Sequence, residues 1–129
     1  MKAMIIATCA FFLLIFSVQA VEIIELDTSD KTSPNIPLKY QPGTTEWDGA
    51  GVKIAANVTN DSEATYDTVR VVFTFKNAQG NMLIATHTVN VQPQKIVPGQ
   101  SGSLEQWIEC HGTQPAQVDV QVTAVKLME

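Results

Sequence analysis

The stretch Val69-Arg70-Val71-Val72-Phe73-Thr74-Phe75-Lys76 decides the fold class. Val69, Val71, Phe73 and Phe75 stand at every second position, opposed by Arg70, Thr74 and Lys76, with Val72 the one apolar exception. Successive side chains of a strand point to opposite faces, so this spacing predicts a β-strand with one face in a core. Asn77-Ala78-Gln79-Gly80 follows, placing a glycine where a short hairpin loop needs positive φ.

The same alternation extends both ways from that strand. Upstream, Val52, Ile54, Ala56 and Val58 share one face, and Asn60-Asp61-Ser62-Glu63 turns the chain. Downstream, a strand over about 82–91 carries Leu83, Ala85, Val89 and Val91 on one side. Pro98-Gly99 suits a type II turn. Leu104, Gln106 and Ile108 then alternate with Glu105, Trp107 and Glu109, and Val118, Val120, Val122 and Ala124 alternate with Asp119, Gln121 and Thr123. Residues 27–50 read instead as polar, irregular chain broken by Pro34, Pro37, Pro42, Gly43 and Gly49, with short edge strands available at 21–26 and 36–40. No helical spacing persists over three turns. The expected fold is all-β, an antiparallel immunoglobulin-like β-sandwich of about six to seven strands.

The first twenty residues have the order of a secretory signal. Lys2 gives a positive start, Ala3 to Val18 is apolar apart from Thr8, Cys9 and Ser17, and Val18-Gln19-Ala20 offers small residues at a cleavage site. The apolar run is shorter than the roughly 20 residues that span a bilayer, so no stable membrane insertion is expected after cleavage. Three segments follow: a cleaved signal peptide at 1–20, a polar N-terminal segment at 21–50 and a β-sandwich domain at 51–129. The protein is expected to be secreted or periplasmic.

Charge narrows the partners. The 129 residues carry 8 basic and 13 acidic side chains, a net charge of −5. Nucleic acid binding rests on a basic surface that releases counterions, and this balance has the opposite sign. Removing 1–20 takes away Lys2, no acid, and Cys9, leaving Cys110 alone. A lone cysteine in an oxidising compartment points to an intermolecular disulfide or an inert thiol, hence a monomer or a Cys110-linked dimer. Its place at a strand end before Gly112 predicts partial exposure.

Between 51 and 125 the chain resembles the FxLYD domain family. Gly51-Val52-Lys53 and Asn57-Val58-Thr59-Asn60 match that family's opening strand and Asn-rich turn. Tyr66 to Phe75 is similar to its long second strand, with Gly80 at the hairpin and Val97-Pro98-Gly99 at the Pro-Gly turn. Phe73-Thr74-Phe75-Lys76-Asn77 stands at the naming motif, with Phe for its Leu and Lys-Asn for its Tyr-Asp. The resemblance implies a small extracytoplasmic β-sandwich and brings no catalytic residue with it.

Four constellations bear on chemistry. Glu105, Trp107 and Glu109 project outward if Leu104 and Ile108 face the core, setting an aromatic between carboxylates that can grip a cationic group or stack on a sugar. Against this stands a Trp107 folded over the sheet edge beside two solvated acids. Cys110, His111 and either His87 or Met82 are soft-metal ligand types suited to copper or zinc, although their spacing fits no recognised site. Gly99-Gln100-Ser101-Gly102-Ser103 approaches a nucleophile elbow, but the strand–turn–helix setting and a partner histidine are missing, which leaves a small hydrolase as a remote alternative. Asn57-Val58-Thr59 and Asn60-Asp61-Ser62 fit the N-glycosylation pattern. The expected function is a non-enzymatic module without a cofactor. It binds an envelope or extracellular protein through an aromatic anchor with an acidic rim, or by strand addition at a sheet edge.

Overall fold

A computed structural model describes residues 21–128; the expected signal peptide lies outside these residues. The described chain is all-β with eight strands and no helix. They are β1 (Glu22–Ile23), β2 (Asp27–Asp30), β3 (Leu38–Trp47), β4 (Gly51–Asn60), β5 (Tyr66–Lys76), β6 (Leu83–Asn90), β7 (Ser101–Glu109) and β8 (Gln117–Lys126). Two four-stranded sheets form, one in the order β1-β3-β4-β7 and the other in the order β2-β8-β5-β6. Every pairing is antiparallel except β2 with β8, which is parallel.

One core lies between the sheets. From one sheet come Leu38, Val52, Ile54, Ala56, Val58, Leu104 and Ile108; from the other come Val69, Val71, Phe73, Phe75, Val89, Val118, Val120 and Val122. These are the alternating sets read from the sequence, so the period-two pattern of β4, β5, β7 and β8 converts directly into a sandwich-like arrangement. Phe73 reaches across the interface, its ring meeting that of Tyr40 edge-on at 6.0 Å and lying parallel to that of Phe75 at 6.2 Å. The two turns with glycine also form as read. Gly80 has φ 72° and donates to Asn77, while Gly99 has φ 80° in a turn closed by Gln100 donating to Val97.

Residues 21–50 hold more strand than expected: β1 and the start of β3 fall where short edge strands were available, whereas β2 and the rest of β3 fall in chain read as irregular. They supply β1, β2 and the ten-residue β3, and they join both sheets. The reason lies in edge chemistry. Only Glu46 and Trp47 of β3 pair with β1, so Pro42 sits where β3 is an edge, beside a register shift between Pro42 and Thr45. A proline without an N–H is tolerated at such a position. Most of β2 and β3 is exposed, so an alternating apolar pattern was never required there.

At the end of β4, Asn60 is the one buried polar residue of the described chain. Its side-chain nitrogen donates to the carbonyls of Ala64 (2.8 Å) and Ile96 (3.0 Å), and its oxygen accepts from the Ser62 N–H (3.0 Å) and hydroxyl (2.6 Å). What reads as a turn residue therefore ties the β4–β5 loop to the loop between β6 and β7. With both donors of that amide engaged inside the protein, the folded state has no room for a glycan on Asn60, whereas Asn57 is exposed on β4.

Candidate binding surface around Trp107

Glu105, Trp107 and Glu109 all lie on the solvent side of β7, as the alternation predicts. Register places Lys53 of β4 opposite Trp107, with Glu46 of β3 beyond it, and Gly51 opposite Glu109. The indole leans diagonally over Gly51. A Cβ at that position would meet the ring's Cζ2 at 2.6 Å and its Cε2 at 2.7 Å. Glycine in a strand thus marks the place where the ring approaches the backbone, an aromatic covering a neighbouring glycine.

A second contact fixes the ring. Trp107 Nε1 donates to Asp48 Oδ2 at 2.9 Å, while Asp48 Oδ1 accepts from the N–H groups of Ala50 (2.9 Å) and Gly51 (2.8 Å). The β3–β4 turn therefore holds the carboxylate that orients the indole. Trp107 remains 43% exposed, so it is both seated and accessible. Lys53 lies 3.7 Å from Glu105, and His111 Nδ1 lies 3.3 Å from Glu109. Both are exposed pairs of the kind that contribute little to stability, leaving the carboxylates available to exchange partners. Neither Asp48 nor Gly51 stands out in the sequence as part of a site, because their role depends on cross-strand register.

Asp48 gives this arrangement a pH signature. The backbone N–H groups of Gly51 and then Ala50 hold its carboxyl below the usual range, and the indole N–H adds to that effect. A depressed carboxyl stays ionised at neutral pH and loses its contribution only as pH falls through the lowered value. On acidification, the Trp107 indole N–H resonance should keep its hydrogen-bonded position through the ordinary carboxylate range and shift only below it. In Asp48→Asn the resonance should be pH-independent. A transition at ordinary carboxylate pH would place the controlling charge elsewhere.

The expected partial exposure of Cys110 is corrected. Cys110 is fully buried, and its thiol donates to the Ile108 carbonyl at 3.6 Å. It continues the inward parity of Leu104, Gln106 and Ile108 one residue past the end of β7, its N–H donating to Ala50. Burial pushes the thiol's pKa up, with the charges of Asp48 and Glu109 acting in the same direction. A disulfide to a second chain requires this residue to leave the core. Among the proposed soft-metal ligands, His111 points outward from a turn with φ 55° and His87 lies exposed on β6 in the other sheet. Among the described residues, no group of three or more His, Cys, Asp or Glu side chains is gathered as a metal cage. Ser101 and Ser103 belong to β7 rather than to an elbow, and the Ser101 hydroxyl is hydrogen-bonded to that of Thr59 at 2.8 Å.

The fold and this surface define an all-β domain with two sheets around one core. Comparison of the chain with known protein families, curated proteins and solved structures finds no match.

Proposed function

We propose that the protein is a non-enzymatic binding module, an immunoglobulin-like sandwich of FxLYD type. It works outside the cytoplasm, in the cell envelope or beyond it, and holds a partner protein through Trp107, Glu105 and Glu109. The observation that carries this reading is the fixed, half-exposed indole, backed by Gly51, tethered by Asp48 and flanked by carboxylates. Binding hot spots are enriched in tryptophan, and an aromatic already immobilised loses less entropy when a partner covers it. The signal-like first twenty residues and the motif residues between 51 and 125 support the location and the family type.

Trp107→Ala tests the reading. It removes a stacking contact and one exposed hydrogen bond, so the loss of stability should be about 1 kcal/mol, read as a small shift in the thermal unfolding midpoint. Recovery of the partner from an envelope or extracellular fraction should fall at least tenfold relative to the wild-type protein. Unchanged recovery with a large fall in midpoint would make Trp107 a packing residue and remove it from the interface.

A further inference from the structure

The two flanks of the molecule are finished differently. On one, the chain covers part of its own edges: β1 pairs with the end of β3, and β2 pairs with the first residues of β8. On the other, β6 and β7 are the outermost strands of their sheets, linked among the described residues by a single antiparallel bridge between Gln92, just past β6, and Ser103 of β7. Beyond that bridge they part around an open groove of about 660 Å³ lined by Thr88, Asn90, Ser103, Glu105 and Gln106 among others.

Hydrogen-bond parity shows what β7 presents to that groove. Ser103 exchanges both backbone bonds with Gln92, whereas Cys110 donates toward β4, to Ala50. The register of β7 with β4 is unbroken from Ser101 to Glu109. Backbone groups in an antiparallel ladder alternate in direction, so Glu105, Trp107 and Glu109 direct their N–H and C=O groups away from β4. The Trp107 carbonyl accepts instead from the side-chain amide of its neighbour Gln106, at 3.1 Å. A side chain thus occupies a place that a strand would fill.

Resting on the binding-module reading, we infer that the free edge of β7 from Glu105 to Glu109 accepts an extended segment of a partner polypeptide with basic side chains at alternate positions. Charge selects this occupant. The outward carboxylates of Glu105 and Glu109 flank Trp107, whose indole holds a third carboxylate, Asp48, and Lys53 opposite Trp107 pairs with Glu105. Opposite charges directly across a ladder stabilise the pairing, and like charges oppose it. A second copy of β7, paired antiparallel about Trp107, would put Glu105 against Glu109 twice. The acids that discourage self-pairing favour a basic strand.

The test uses the isotope-labelled full chain and two synthetic seven-residue peptides, Thr-Lys-Val-Thr-Val-Lys-Thr and the same sequence with Glu for both Lys. The lysine peptide should slow amide hydrogen exchange at Glu105, Trp107 and Glu109 and leave Leu104 and Gln106, already bonded to β4, unchanged. Its binding should weaken several-fold in Glu105→Gln/Glu109→Gln and on raising salt, and the glutamate peptide should not protect these amides. Failure of the lysine peptide to bind, or equal protection by both peptides, would overturn the inference. So would protection that needs no peptide and rises with protein concentration, which would make the occupant a second copy. Binding without protection of the three amides would also overturn the edge site and leave the Trp107 surface as the interface. The binding-module reading falls separately, if partner recovery is indifferent to Trp107→Ala and to both glutamate changes.

Discussion

Asn60→Asp is expected to destabilise the folded protein by about 3 kcal/mol or more at neutral pH, because it places a carboxylate against two carbonyl oxygens. In the wild-type protein the amide nitrogen donates to Ala64 and Ile96, and both sit within the loops that this side chain holds together. Aspartate keeps the acceptor for Ser62 and loses both donors. Protonation restores one of them, so the variant's carboxyl pKa is raised in the folded state. Its stability relative to wild type should then improve as pH falls toward the acidic range and worsen as pH rises through the raised value. Asn60→Leu removes the whole network and should lose a comparable amount with no such pH dependence. Urea unfolding of the three proteins at neutral and acidic pH separates these outcomes. A loss below about 1 kcal/mol in both variants would show that water takes over the role of the amide.

Phe73→Ala should lower stability by about 3–5 kcal/mol, the range for truncating a buried aromatic. Phe73 is fully buried, pairs with His87 on one side and Val120 on the other, and touches Tyr40 from the opposite sheet. Its loss therefore opens a void between the sheets rather than at a margin. Set against a total stability of about 5–15 kcal/mol for a domain, such a change leaves the fold marginal. Phe73→Leu, which conserves most of the volume, should lose about 1.5 kcal/mol or less. In a double-mutant cycle with Tyr40→Leu, the edge-on ring pair should show a coupling of about 0.5–1.5 kcal/mol. A Phe73→Ala loss near that of Phe73→Leu would mean that the two sheets close over the gap.

The strands were most legible where one face is buried and the other wet. Val69 to Phe75 and Val118 to Val122 alternate because a core lies on one side of each, and that asymmetry is written in residue type. β2, and β3 beyond the edge strand expected at 36–40, escaped notice for the converse reason: with most of their length exposed, they carry polar residues and Pro42, which look like loop. The same parity that set Leu104 and Ile108 inward also sets Cys110 inward, so its burial was readable from spacing, and position near a glycine was the weaker guide. The outward set of Glu105, Trp107 and Glu109 was legible too. Its seat was not, because Gly51 and Asp48 meet the indole only through strand register, which no local pattern encodes. Asn60 was invisible for a related reason, since an asparagine at a strand end looks the same whether it meets water or two loops.

The strand order of the first sheet also sets a direction for anything attached to the protein. β1 and β7 are its opposite margins, three strand spacings apart, roughly 14 Å. Val21 stands at the β1 margin, where Glu22 and Ile23 run alongside Trp47 and Glu46. A tag or domain fused ahead of Val21 should therefore enter at the margin opposite β7 and leave Trp107 and its acidic neighbours unshadowed.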